Sequence, residues 1–315
     1  MRGDTIFLLT VWIACVFARS PPQLGCEDRI CPGPLKLYKE LGCTPIKQNP
    51  DDCCAIKYDC DHLQSRPNEK CHAFGQEYNP GETLARESTS CYPRCTCIGI
   101  NEKTAAWACA TIHPVFYIAA GCYLPRNATM CFPGSEICPP NPDDRPKCEV
   151  DGKTYYDGEY FEPQGKPKKA CWCGPGYKGE NVMPFCREMQ KEKCGYELSG
   201  KLKLEERCAP VWRVEQDHEV ECSTMWRCEE PGDKIIPREQ TLGYSADDTP
   251  DPRGMSCQIG NLRMRLGDEL DKMSEKSNCI KCICDIPPVA TCVEVPKRIC
   301  LMTPAERNES HEKSD

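Results

Sequence analysis

Cysteine spacing constrains this 315-residue chain more than any other feature. There are 29 cysteines, and 28 of them follow an apolar leader. Cys71, Gly75, Tyr78, Gly81 and Glu82 form C-x3-G-x2-Y-x2-G-E, and Cys148, Gly152, Tyr155, Gly158 and Glu159 repeat it at the same offsets. Five residues matched at fixed offsets mark an internal repeat of one stapled unit. A degenerate third copy starts at Cys257. There Gly267 keeps its offset, Asp268 stands for the Glu, Met264 stands for the Tyr, and Gly260 is displaced by one.

Residues 1–20 read as a secretory signal: Arg2, an apolar run from Ile6 to Ala18 broken by Thr10, then small residues before Pro21. That run is too short to span a bilayer, and no other segment approaches the ~18 apolar residues a span needs. Cys15 leaves with the leader, and the even remainder reads as a disulfide framework built in an oxidising compartment. A secreted, extracellular chain without a membrane span is expected. Zinc is the rival reading, prompted by Cys95-x-Cys97 and Cys279-x2-Cys282-x-Cys284. None of the five histidines stands at a knuckle spacing from them, so no metal and no cofactor are expected. With 29 Pro and 22 Gly the chain cannot build one large core, and bridges must supply stability. A bridge closing a ~15-residue loop contributes roughly 3 kcal/mol. The net charge of −8 argues against a nucleic-acid partner, which needs a basic footprint.

The cysteines group into stretches of even count: 26–60, 71–138, 148–228 and 257–300. Each of the last three opens with a head, the repeated motif running into a tight knot. The head cysteines are Cys71, Cys91, Cys95, Cys97 and Cys109; then Cys148, Cys171, Cys173 and Cys186; then Cys257, Cys279, Cys282, Cys284 and Cys292. Tails follow the first two heads. Tyr117-x3-Gly121-Cys122-x2-Pro125 echoes Tyr38-x3-Gly42-Cys43-x-Pro45, and Cys208-Ala-Pro210 begins a third copy. The first stretch thus reads as a tail without a head, and the fourth as a head without a tail. Turn signals beside Tyr and Phe suit short strands, with Lys153–Tyr156, Asp157-Gly158 and Glu159–Phe161 read as a hairpin. One stretch, Leu262 to Met273, carries a weak helical pattern. Pro139–Pro146 separates two modules, 231–254 reads as an acidic, cysteine-free linker, and 301–315 as a disordered tail. The expected fold is small, disulfide-rich, mostly β and irregular: an elongated tandem array of cystine-stapled modules.

The head motif, the C-x2-C-x-C knot, and Trp107 or Phe185 just before Cys109 or Cys186 together resemble the von Willebrand factor type C (VWC) domain. Cys53-Cys54 followed by Cys60 resembles that domain's paired-cysteine ending. The resemblance covers roughly 26–300 and is specific in the heads at Cys71 and Cys148. The knot at Cys171 lacks one cysteine, and no full ten-cysteine domain is present. The resemblance implies an extracellular, β-rich binding module, and several such proteins modulate growth factors of the bone morphogenetic protein class.

No G-x-S-x-G, H-E-x-x-H or P-loop appears, and no catalytic residue is assigned. Asp247, Asp248 and Asp251 lack the register of a calcium loop. Asn127-Ala-Thr129 and Asn308-Glu-Ser310 are glycosylation sequons. Tyr156, Tyr160, Phe161 and Trp172 crowd one head, either as partner contacts or as its mini-core. Arg187, Lys191, Lys193, Lys201, Lys203 and Arg207 form a basic run that could touch a glycosaminoglycan, interleaved with glutamates that make a mixed solvated surface. The expected function is a non-enzymatic modulator of an extracellular protein ligand, such as a growth factor of the BMP/TGF-beta type. The alternatives are a matrix or cuticle component, and a secreted immune factor or protease inhibitor presenting the 91–95 loop.

Overall fold

The computed structural model describes residues 26, 29–84, 94–110, 117–238, 255–270 and 279–300. The chain divides into two units, Met1–Ile30 and Cys31–Asp315. The fold below is that of the second.

The first helix, α1 (Leu35–Leu41), is only 7 residues long and needs packing to persist. Leu37, Tyr38 and Leu41 form its buried face, and Gly42 ends it at φ 73°. Strands β1 (Thr44–Ile46) and β2 (Lys57–Asp59) pair next. Two hairpins follow, β3 (Cys71–Ala73) with β4 (Gln76–Tyr78), and β5 (Arg94–Asn101) with β6 (Thr104–Ala110). The third module opens with β7 (Lys147–Val150) and β8 (Lys153–Tyr156). Strands β9 (Tyr160–Phe161), β10 (Lys169–Trp172) and β11 (Cys186–Glu188) then form a three-stranded sheet in the order β11-β10-β9. Two short helices follow, α2 (Tyr196–Ser199) and α3 (Lys201–Glu205). The remaining strands are β12 (Ala209–Arg213), β13 (Met225–Arg227), β14 (Ile235–Ile236), β15 (Ser256–Ile259), β16 (Leu262–Arg265), β17 (Glu269–Leu270), β18 (Ile280–Ile283) and β19 (Thr291–Glu294). Six of these join in the order β13-β12-β19-β18-β17-β14, with β12 and β19 parallel.

The three heads share one geometry. In each, the first cysteine pairs in register with the Tyr or its replacement: Cys71 with Tyr78, Cys148 with Tyr155, Cys257 with Met264. The first two hairpins turn on Phe74-Gly75 and Asp151-Gly152, four residues all with positive φ, as a type I′ turn requires. The third turns on Gly260-Asn261 with positive φ at Gly260, the glycine-first pattern of a type II′ turn. The displaced glycine is therefore a change of turn type within an unchanged register.

The G-E step has an equally physical reading. Gly81, Gly158 and Gly267 take φ of 96°, 85° and 88°. Their N–H groups donate to Cys97, Cys173 and Cys284. The acid after each glycine accepts the backbone N–H three residues back: Glu82 from Asn79, Glu159 from Tyr156, Asp268 from Arg265.

Twelve bridges are described, and each closes inside one of the four cysteine stretches. The heads repeat one connectivity: Cys71–Cys97 with Cys95–Cys109, Cys148–Cys173 with Cys171–Cys186, and Cys257–Cys284 with Cys282–Cys292. The tails match too, through Cys43–Cys60, Cys122–Cys138 and Cys208–Cys228.

The modules do not stand as separate beads. Residues Cys31–Asp315 cluster as one compact unit, because the modules bury apolar side chains against one another. Leu37, Tyr38 and Leu41 share a core with Tyr196 and Ile286. Leu198 enters the core of Ala73, Leu84 and Cys95. Burying each large side chain is worth roughly 1.5–3 kcal/mol, which separated modules would forfeit.

Three local readings are also corrected. Leu262–Arg265 is a strand, because pairing with Ser256–Ile259 buries Met264 completely. Asp157-Gly158 is not a hairpin turn: Tyr160–Phe161 pairs with Lys169–Trp172, while Lys153–Tyr156 pairs with Lys147–Val150. The first part of the 231–254 segment is docked, with Ile235–Ile236 in the large sheet. Residues 239–254, with Asp247, Asp248 and Asp251, lie outside the described residues, as do the leader and 301–315.

Candidate functional site

The sheet β9-β10-β11 has two unlike faces. Side chains alternate along each strand. On one face Cys171 bridges Cys186, with Phe161 opposite Cys171 in register. These residues make a small core with Cys148, Val150 and Cys173. Tyr177 extends it, edge-on to both Phe161 and Phe185. The other face carries Tyr160 opposite Trp172, and Ala170 opposite Arg187.

That second face is the candidate site. Trp172 is 5 % exposed and packs with Ala128, Ala170, Met189 and Val220. Tyr160 stands edge-on to it at 5.4 Å and remains 45 % exposed. The Tyr160 hydroxyl donates to Glu162 Oε1 at 2.5 Å, and burial together with that carboxylate raises its pKa. Two guanidiniums lie over the Trp172 ring, Arg126 at 4.9 Å and Arg187 at 5.3 Å from its centroid. Arg187 donates to Glu192 at 2.8 Å. Arg126 has no ion pair among the described residues, and the Nε atoms of both arginines are buried without a partner. Burial, then the charge of Arg187, pushes Arg126 below the usual arginine value.

A groove of about 610 Å3 shares Arg187 with this face and takes Lys169, Cys186 and Glu188 from the opposite one. Lys169, Arg187, Lys191 and Lys193 line it with Glu188, Glu192, Val182 and Met183. Val182 and Met183 are more than half exposed. Lys169 Nζ donates to the carbonyl of Asn181, and Lys193 Nζ lies 4.2 Å from the centroid of Phe74.

The structure divides the aromatic quartet. Tyr156 and Tyr160 are exposed, and Tyr156 lies beneath Arg145 and Lys147. Phe161 and Trp172 are buried and serve as core, the second of the two readings open for them. The basic run is divided as well. Lys201 reaches the carbonyl of Ala105, and Lys203 pairs with Glu206. Arg126 and Lys169 join the remaining cations through folding alone. Sequence proximity could not have found Arg126, which sits in a different module from Arg187.

Of the named cysteines, Cys91 lies outside the described residues and the others are bridged. Cys26, Cys53 and Cys131 are disulfide-bonded as well. Two trios have metal-like proximity, Cys122–Glu136–Cys138 and Glu206–Cys208–Cys228. Each contains a bridged pair, and a disulfide sulfur offers no thiolate to a metal. The described histidines are structural: His62 contacts the carbonyl of Leu41, His72 that of Pro67, and His218 stacks on Trp212. Asn127 is half-buried, and its Oδ1 accepts from the N–H and hydroxyl of Thr129. Asn308 and most of the 91–95 loop lie outside the described residues. Among the described residues, no helix is long and apolar enough to cross a membrane. No protein-family model matches the chain, and no solved structure matches it.

Proposed function

We propose that this chain is a secreted, non-enzymatic binding protein that holds an extracellular protein ligand on the Tyr160 face of its third module. The resemblance to VWC repeats makes a growth factor of the BMP/TGF-beta type the ligand class to test first. One observation carries the reading: Tyr160 is 45 % exposed, yet its ring is braced on buried Trp172. Tyrosine is a frequent anchor in binding hot spots. A ring already ordered loses little rotamer freedom on binding. The abundant bridges fit an extracellular site of action. They also leave the bonded cysteines without the thiolate that a nucleophile needs.

Tyr160→Ala tests this directly, because an exposed ring can be removed with little loss of core. Secretion and melting should stay near those of the parent. Affinity in a pull-down against growth factors of this class should fall by about 1–3 kcal/mol. Unchanged affinity in the well-secreted variant would move the contact elsewhere. No binding across the panel would remove the growth-factor assignment.

A further inference from the structure

We propose that Arg126 and Arg187, with Lys169, Lys191 and Lys193 along the adjoining groove, form a binding site for a sulfated glycan. This assignment stands apart from the protein-ligand reading and rests only on the extracellular location proposed with it. Three features of the fold carry it.

The first is convergence. Arg126 comes from the tail of the second module and Arg187 from β11 of the third, yet both guanidiniums lie over one indole. Segment 126–128 is held there by Ala128, which is buried and donates its N–H to Pro184 at 2.8 Å. A guanidinium on an aromatic face is fixed in orientation and keeps its fork of donors free at the edge.

The second is incomplete neutralisation. The chain as a whole carries −8, yet this groove gathers Lys169, Arg187, Lys191 and Lys193 against Glu188 and Glu192. Lys191 pairs with Glu188 and Arg187 with Glu192. Arg126 has no ion pair among the described residues, and the carboxylate that acts on it, Glu192, is already bonded to Arg187. An anion whose oxygens accept from the terminal guanidinium nitrogens would supply the missing charge.

The third is shape. Four of the five cations, all but Arg126, line an open groove of about 610 Å3. A linear polyanion can lie along such a groove with several charges engaged at once. Outside the cell, the abundant linear polyanions are sulfated polysaccharides, and sulfate offers the same planar pairing to arginine that phosphate does.

The test uses the full-length secreted protein and a heparin dodecasaccharide as probe. Binding should occur at physiological ionic strength and weaken steeply with salt, as counterions are released. Arg126→Gln and Arg187→Gln should each weaken it by about fivefold or more. Glu192→Gln removes the internal competitor for Arg187, and should tighten binding by about threefold. This gain cannot arise from misfolding, so it keeps the proposal testable if an arginine variant melts early. Lys103→Gln, on an exposed hairpin tip, should change nothing. No binding of the dodecasaccharide would overturn the site, as would arginine variants that bind like the parent, or a Glu192→Gln variant without gain. Equal binding of desulfated heparin or polyglutamate would overturn the assignment to sulfate.

Discussion

Asp157 shows at the scale of one residue how two modules are joined. It is 2 % exposed, and it accepts a hydrogen bond from the Tyr123 hydroxyl of the preceding module at 3.0 Å. Burial lifts its pKa above the ordinary value near 3.8, while Tyr123 and the charge of Arg145 pull the other way. The folded protein thus holds this proton more tightly than the unfolded chain does. Stability is present in full below the unfolded value and falls as pH rises through the raised one. Asp157→Asn keeps the acceptor and removes the titration. Its melting temperature should exceed the parent's at pH 7, and the gap should close below about pH 4. Next to it, Gly158 has φ 85°, and a Cβ there would come 2.2 Å from the carbonyl oxygen of Leu124. Gly152 has a similar φ of 76° but open space around it. Gly152→Ala should cost about 1–2 kcal/mol, the left-handed strain alone. Gly158→Ala should cost about 4 kcal/mol in chemical denaturation, because backbone must move as well.

At the scale of elements, the head owes its shape to a turn, a carboxylate brace and two bridges. Glu159 accepts the N–H of Tyr156 at 2.9 Å, as Glu82 and Asp268 do at equivalent places. Glu159→Ala should destabilise the protein by about 1 kcal/mol, read as a shift in denaturation midpoint. Bridge Cys171–Cys186 links β10 to β11 at a sequence separation of 15. Replacing both cysteines with serine should cost about 3 kcal/mol. Amide exchange should then accelerate first in β10 and β11, which carry the Trp172 face.

The whole molecule is held by contacts that no described bridge enforces. The hydroxyl of Tyr38 donates to the carbonyl of Ile286 at 2.7 Å and accepts the N–H of Val289 at 2.8 Å. Tyr58 donates its N–H to Pro287. The tail without a head and the head without a tail thus meet. Strand β12 also adds to β19 from the third module. Deeper in the chain, Glu197 accepts from Arg66 and from the N–H of Phe74. All six cysteines of 257–300 pair among themselves. Limited proteolysis should spare 231–238, where Arg227 and Asp233 form a buried ion pair and Ile235–Ile236 lies in the sheet. A chain cut between 239 and 254 should migrate as one species natively. It should separate into two on a denaturing, non-reducing gel. A single band under denaturing conditions would show a covalent link across modules.

Sequence alone determined what depends on neighbours along the chain. Cysteine spacing, the offsets of Gly81 and Gly158, and the acids after them set local turns and short loops, and the bridges close within those loops. The tertiary structure alone decided what depends on the space between modules. Patterns of a few residues do not reveal that Leu198 completes the core around Ala73, or that Tyr38 reaches Ile286. Nor do they bring Arg126 over the ring of Trp172. Such contacts follow from how small cores share apolar surface, a non-directional force summed over the entire fold.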